Sequence, residues 1–239
     1  MRKIPLYLGH EHDCGYLPGQ QARTAYIGPE TRMSGTLYSA LAQRGFRRSG
    51  DLVYRPYCSN CSACVPVRVP VARFVPNRSQ TRVLRRNADL AVSLKPAAFE
   101  EEHYKLFAPY LKARHAQGGM ASSSRDEYID FLSATWAQTS FVEFRTGDML
   151  LAVAVMDYLQ DALSAVYTFF HPDFAERSLG VHAVLWQIEE ARRLGLNWLY
   201  LGFWIEGCRK MAYKDQYRPL EAFIGGQWRG FEKGEKIRP

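Results

Sequence analysis

The sequence has no long apolar run. Its longest uninterrupted stretch is Met149–Met156, far short of the ~18 residues that a membrane span requires. It has no internal repeat and no low-complexity tract, which excludes solenoids and disordered linkers as its main architecture. The first residues are basic but lack the apolar stretch of a secretory signal, so a cytoplasmic protein with reduced thiols is expected. Cysteine is scarce, with 5 in 239 residues. Cys14, Cys58, Cys61 and Cys64 stand early in the chain and only Cys208 late, and this asymmetry is the first sign of two parts. Acidic residues are also short: 24 Asp and Glu against 31 Lys and Arg give a net charge of +7. A chain this basic often meets a polyanion, provided that its cations cluster.

What is present is ordinary for a folded protein. Hydrophobic residues make up 47% and charged residues 23%, enough for a core without staples. The stretch 1–95 is rich in Pro, Gly, Arg and Cys and reads as a smaller, basic N-terminal domain. Met33–Gly45 and Arg78–Asp89 are its helical segments, the second with Ser79 near its start. Val65–Val71 has strand composition, but Pro66 and Pro70 restrict it to a sheet edge. Residues 96–239 form the second domain, where periodicity is cleaner. Phe99–Arg114 is amphipathic, with a kink or break expected at Pro109. Ser124 and Glu127 make a capping box. Strands are expected at Ser140–Arg145, Leu150–Tyr158 and Leu163–Phe170, joined by hairpin turns. Ser178–Leu194 is the strongest helix, with Val181, Val184, Leu185, Ile188 and Ala191 on one stripe. Strands at Trp198–Trp204 and Leu220–Ile224 complete an α+β layer.

Three groups carry chemistry. Cys58-Ser-Asn-Cys61-Ser-Ala-Cys64 offers thiols at three-residue spacing, and Cys14 would complete four soft ligands, with His10 and His12 as substitutes. Zinc and an iron–sulfur cluster both suit that spacing, and three metal-free loop cysteines are the plain alternative. Arg78, Arg82, Arg85 and Arg86 fall on one helix face, where like charges repel unless an anion is nearby. Arg47-Arg48 and Arg209-Lys210 add smaller clusters; a solvated charged face is the plain alternative. Lys210 and Lys214, with Tyr213, follow a core strand, a position equally suited to a binding site or to a basic surface helix.

In this order and spacing the chain resembles the bacterial branch of the arginyl-tRNA–protein transferase family. The resemblance covers nearly the whole chain. It is carried by Cys14-Gly-Tyr-Leu-Pro-Gly19, Gly45-Phe-Arg-Arg-Ser-Gly50, Tyr54-Arg-Pro-Tyr-Cys58 and Arg78-Ser-Gln80-Thr-Arg82. It continues through Ser164–Phe170, Ser178-Leu-Gly180 and Gly207-Cys-Arg-Lys-Met-Ala-Tyr-Lys214. Eukaryotic members carry Cys-Gly-Tyr-Cys where this chain has Cys14-Gly-Tyr-Leu17, with Cys61 and Cys64 as replacements. The resemblance implies a GNAT-like (acetyltransferase-like) C-terminal domain. It implies transfer of leucine from leucyl-tRNA to the α-amine of proteins beginning with Asp or Glu, marking them for N-degron degradation.

The chemistry then assigns expectations to residues. An aminoacyl ester is already activated, so no cofactor is required for the transfer, and positioning should dominate the rate gain. Tyr213 is expected to donate to the oxyanion or the leaving oxygen, with Lys214 beside it as a second catalytic group. The acceptor carboxylate needs a cation, supplied by Arg78 or Arg82, with Gln80 between them, or by Lys210 or Lys214. Tyr167, Phe169, Phe170 and Trp204 are candidates for an apolar leucine pocket. The N–H groups of Ser178-Leu-Gly180 could hold a phosphate of the tRNA 3′ end, and Arg85, Arg86 and Arg209 tRNA phosphates. Three competing readings are kept: arginyl-tRNA as donor, a coenzyme A-dependent N-acetyltransferase, and a non-catalytic RNA-binding protein.

Overall fold

A computed structural model of the chain describes residues 4–115 and 124–238. The first segment holds β1 (Leu6–Leu8), β2 (His12–Asp13), β3 (Gln21–Ala22), β4 (Thr24–Ile27), α1 (Gly35–Ala42), β5 (Arg47–Ser49) and β6 (Leu52–Pro56). Next come β7 (Val65–Pro70), α2 (Arg78–Arg86), β8 (Ala91–Pro96), α3 (Glu101–His115) and α4 (Arg125–Leu132). The remainder comprises β9 (Thr139–Thr146), β10 (Met149–Tyr158), β11 (Ala162–Phe170), α5 (Leu179–Arg193), β12 (Trp198–Trp204), α6 (Arg209–Ala212), β13 (Leu220–Ile224) and β14 (Gln227–Phe231). It is a mixed α/β fold built on a large sheet. No helix among the described residues is long and apolar enough to cross a membrane.

The large sheet has eight strands in the order β14-β13-β7-β12-β11-β10-β9-β8. All its pairs are antiparallel except β11 with β12, which α5 connects as a crossover. β10 is buried on both faces, which explains its unbroken apolar sequence. Ala152, Ala154 and Met156 join the core beneath α5, with Leu179, Val184, Leu185 and Ile188. Val153 and Val155 face the other way, against Phe107 and Leu111 of α3 and Tyr128 and Leu132 of α4. The expected break at Pro109 does not occur, and α3 runs through it. Leu106, Phe107 and Leu111, buried on both sides of the proline, hold the helix to the sheet across the missing hydrogen bond.

One other expectation is corrected. β7 is not an edge strand: it lies between β12 and β13. Its ladder with β13 covers only Val67 and Arg68, so Pro66 and Pro70 fall outside it and leave no vacancy there. The expected boundary after residue 95 falls inside β8, and β7 from the first part is central to the large sheet. α2 is capped by Asn77, not Ser79, through a full capping box with Gln80.

β1, β4, β6 and β5 form a separate four-stranded sheet in the order β1-β4-β6-β5. It is fixed to the large one through β5. Arg48, 3% exposed, donates from Nε and Nη2 to Asp157 of β10 at 2.6 and 2.7 Å, and from Nη2 to Leu132 O at 2.9 Å. Gly50 then turns at φ +57, and a Cβ there would come within 2.2 Å of Asp130 O. Removing one partner of such a pair strands a buried charge, at a cost of about 3–5 kcal/mol. Asp157→Ala should therefore lower the denaturant midpoint by that equivalent in an unfolding titration; an unchanged midpoint would show that the pair does not join the sheets.

Candidate active site

The site begins where a ladder stops. β11 and β12 pair only at Ala162↔Trp198, Leu163↔Leu199 and Ser164↔Tyr200. Just beyond, each strand carries a bulge on its other side. The register of β11 with β10 skips Val166, and that of β12 with β7 skips Leu201. Bulges bend strands and terminate pairing, and here they open the sheet. The orphaned carbonyls are taken by two cations. Arg47, entering from β5, donates from Nη1 to Leu201 O at 3.1 Å and from Nη2 to Ala165 O at 3.1 Å and Val166 O at 3.0 Å. Lys214 donates from Nζ to Phe203 O at 2.7 Å. Gly202, at φ +79, makes room: a Cβ there would lie 1.3 Å from Arg47 Nη1.

Neither cation is neutralised. Among the described residues, no carboxylate forms an ion pair with Arg47 or Lys214. Lys214 is 4% exposed, and its pKa falls from 10.5 to about 7. Burial is the main cause and the Arg47 charge adds to it, while the Cys208 and Cys64 thiols oppose. The sequence shows Arg47 only as part of a small basic cluster with Arg48, with no sign of this role. The Gly202 that answers it is the only local signal, and it lies on another strand.

Tyr213, the expected donor, is exposed beside this opening, within electrostatic reach of Tyr110 of α3. Tyr110 packs edge-on to Phe170 at 4.9 Å and to Tyr167 at 6.3 Å. Tyr167 also meets Phe131 at 5.2 Å and Phe107 at 6.1 Å. Burial raises the pKa of its hydroxyl, which finds no hydrogen-bond partner among the described residues. The four candidates for a leucine pocket do not all converge. Phe169 is fully buried with Phe107 and Tyr128. Trp204 belongs to the core under α5 and borders a cavity of about 590 Å³ on Asn77, Gln80 and Arg218. Tyr167 and Phe170 stay beside Tyr110.

Arg78, Arg82, Arg85 and Arg86 are all exposed on α2, as the spacing predicts. Arg78, Arg82 and Arg85 make no ion pair among the described residues, whereas Arg86 bonds Glu176 O. Gln80, expected at the substrate, is 2% exposed: its Oε1 closes the capping box and its Nε2 donates to Gln216 O at 3.2 Å. It is a strut that sets the start of α2 beside the Tyr213–Gln216 turn. Arg209 and Lys210 are exposed on α6. Ser178 starts α5 in a left-handed conformation, φ +53, without a side-chain cap bond. Gly180 lets Phe170 approach to 3.1 Å of the position a Cβ would take.

Cys14, Cys58, Cys61 and Cys64 are all half-buried free thiols. They converge: burial, then Cys58, Cys14 and Cys61, push the Cys64 thiol up to about 12. Leu17 reaches to 2.9 Å of the Cβ position at Gly207, which seats this loop on the turn before Cys208. As a donor set, four convergent thiols suit a soft metal, although no three of the sulfurs lie within 4.8 Å of one another. Glu100, His103 and Glu143 are that close, but the Glu143 oxygens are already held by His103, Arg145 and Ser93.

The fold has solved counterparts. The L-PGS of Bacillus licheniformis aligns with a TM-score of 0.50 and 12% identity, over 70% of this chain and 59% of that one, a likeness of fold. Family models described as Arginine-tRNA-protein transferase, N terminus and C terminus, match residues 12–82 and 102–224. The chain belongs to the arginine-tRNA-protein transferase family. It is 50% identical to the aspartate/glutamate leucyltransferase of Pseudomonas aeruginosa, over 95% of this chain and 97% of that protein. It is 52% identical to that of Alcanivorax borkumensis, over 91% and 90%.

Lys214 links the site to stability. With its folded pKa depressed from 10.5 to about 7, the unfolded chain binds the extra proton between those values, so this group adds stability as pH rises through the interval. Urea titrations at pH 7 and 9 should show the wild type gaining on Lys214→Met by up to about 2 kcal/mol. A constant difference would place the Lys214 pKa outside that window.

Proposed function

We propose that the protein moves leucine from leucyl-tRNA to the α-amine of proteins beginning with Asp or Glu, marking them for N-degron degradation in the cytoplasm. The activity these relatives are named for, leucyl transfer to aspartate or glutamate, supports the leucyl donor and the acidic acceptor together. The geometric observation that carries the reading is the exposed arginine face of α2, which starts beside the Tyr213–Gln216 turn. A row of unpaired guanidinium groups leading to a polar cleft suits a tRNA whose backbone lies on α2 and whose charged end reaches Tyr213. Arg209, exposed on α6, is a further cation for the tRNA backbone, and the uncapped start of α5 offers the N–H groups of Leu179 and Gly180 to a terminal phosphate, the Ser178 N–H being held by Ala175 O. The C-terminal part is read as GNAT-like: α5 crosses from β11 to β12, and the strands part at its acyl-transfer cleft.

The reaction exchanges an ester for an amide. The acceptor nitrogen attacks the leucyl carbonyl carbon, the C–N bond forms, and the bond to the ribose oxygen breaks. The nitrogen gives up a proton and the ribose oxygen receives one. An α-amine has a pKa of about 7.7–8.0, so a neutral fraction exists without strong activation. Tyr213, exposed at the opening, donates to the oxyanion or the leaving oxygen. Lys214 supplies buried positive charge beneath it, and Tyr167, Tyr110 and Phe170 offer the apolar wall for leucine.

Two competing readings fit less well. A coenzyme A chain in the opening would compete for the carbonyls that Arg47 holds. A passive RNA-binding protein would gain nothing from two uncompensated cations in its sheet. Cys14, Cys58, Cys61 and Cys64 are proposed as a soft-metal site, zinc or iron–sulfur, that anchors the N-terminal loop. The transfer chemistry itself calls for no cofactor. Metal analysis of the purified protein and of Cys61→Ser tests this apart from activity: a stoichiometric metal lost in the variant supports the site, and none in the wild type rejects it.

Radiolabelled leucyl-tRNA, arginyl-tRNA and acetyl-CoA offered with peptides starting in Asp, Glu, Arg or Ala test the function. Label is expected only from leucyl-tRNA and only on Asp and Glu peptides; label from arginyl-tRNA would overturn the donor. Arg78→Ala, Arg82→Ala and Arg85→Ala should each lower the slope of log affinity against log salt by about 1. Unchanged slopes would remove α2 from the tRNA surface.

A further inference from the structure

The two cations in the sheet opening have donors left over. A guanidinium carries five N–H groups and an ammonium three. Arg47 commits one Nη1–H and both Nη2–H groups to carbonyls, which leaves Nε–H and the second Nη1–H. Lys214 commits one N–H to Phe203 O and a second, at 3.4 Å, to Met211 Sδ. Leu201 and Phe203 flank Gly202 on β12, and the Arg47 charge acts on Lys214. Arg47 and Lys214 therefore stand along one edge of the opening. Other arginines that reach into the fold bring a carboxylate with them: Arg48 has Asp157, Arg68 has Glu221, Arg177 has Asp89 and Arg218 has Asp215. The Arg47–Lys214 pair has none among the described residues. Arg23 and Arg55, half-buried without a carboxylate, each stand apart from other cations in the sheet opening, bonded to Gly9 O and stacked on Phe46, whereas Arg47 and Lys214 are two like charges close together, which is costly without an anion.

We propose that Arg47 and Lys214 together read the side-chain carboxylate of the acceptor's first residue. This rests on the reading of the protein as a transferase to acidic N-termini, and it names the residues that impose that choice. Arg47 is anchored on both strands, so its remaining N–H groups are pre-aimed and can meet a carboxylate at little entropic cost. An amide in the same place, as in Asn or Gln, would leave both charges unanswered. The exposed arginines of α2 and the exposed Lys210 stay free for the tRNA backbone.

The test compares Asp-, Asn-, Glu- and Gln-starting peptides with leucyl-tRNA as donor. The wild type should favour Asp over Asn by about 10–100-fold in kcat/KM, the worth of a hydrogen bond to a charged group. Arg47→Gln and Lys214→Met should each cut that preference about tenfold or more, chiefly through KM for the acidic peptide. In Arg47→Gln, use of the Asn peptide and the affinity for leucyl-tRNA should barely change, whereas Lys214→Met is read by the Asp-to-Asn ratio alone, because Lys214 also lies beneath Tyr213. Arg47→Lys, which keeps the charge, should restore part of the preference. Folded variants with an unaltered Asp-to-Asn ratio would overturn the proposal. Should the variants fail to fold, the wild type still decides it. N-acetylated Asp peptide should inhibit competitively against the acceptor, and N-acetylated Asn peptide should inhibit at least tenfold more weakly; equal inhibition would overturn the assignment. A wild type that transfers no leucine to any of these peptides would refute the transferase reading instead.

Discussion

The structure turns on a gap in a sheet. β11 and β12 part after three paired residues, and the carbonyls left behind must be satisfied. Arg47 and Lys214 satisfy them with charged donors rather than with a neighbouring strand. That choice keeps the strands apart, places positive charge inside the sheet, and ties the N-terminal strands to the transferase core. Arg48, the next residue, completes the tie from the opposite face of β5 through Asp157. Adjacent residues of a strand point to opposite sides, so one dipeptide both fixes a module and lines a site.

This arrangement explains why residues far apart in sequence act as one unit. The cysteine loop rests on Gly207 through Leu17, the Arg47 charge acts on Lys214, and Gln80 braces the Tyr213–Gln216 turn from α2. The surface proposed for the acceptor and the tRNA is thus braced from three separate parts of the chain. A displacement of the N-terminal sheet would disturb both the charge in the opening and the position of Tyr213.

Much of the architecture was legible in the sequence. The strands β9 to β12, the helix α5 and the capping box at Ser124 follow from periodicity and end signals. The arginine face of α2 follows from spacing alone. What stayed hidden required pairing across distance. β7 reads as an edge strand because of its prolines, and only its short ladder with β13 explains its central place. Arg47 reads as part of a small basic cluster because nothing local says that two bulges await it. The aromatic candidates for a leucine pocket fall on different faces, because aromatic residues at strand spacing cannot be sorted by face until the partner helices are known. Tyr167 and Phe169 meet α3 and α4, while Trp204 lies under α5.

The most direct test of this account is a titration of the Lys214 ammonium in the free protein, followed by the chemical shift of its terminal carbon. A group held in the sheet opening, without a counter-charge and beside Arg47, should titrate near 7. A midpoint near the ordinary lysine value of about 10.4 would mean that an anion or water reaches it, and the charged opening at the centre of the account would be wrong.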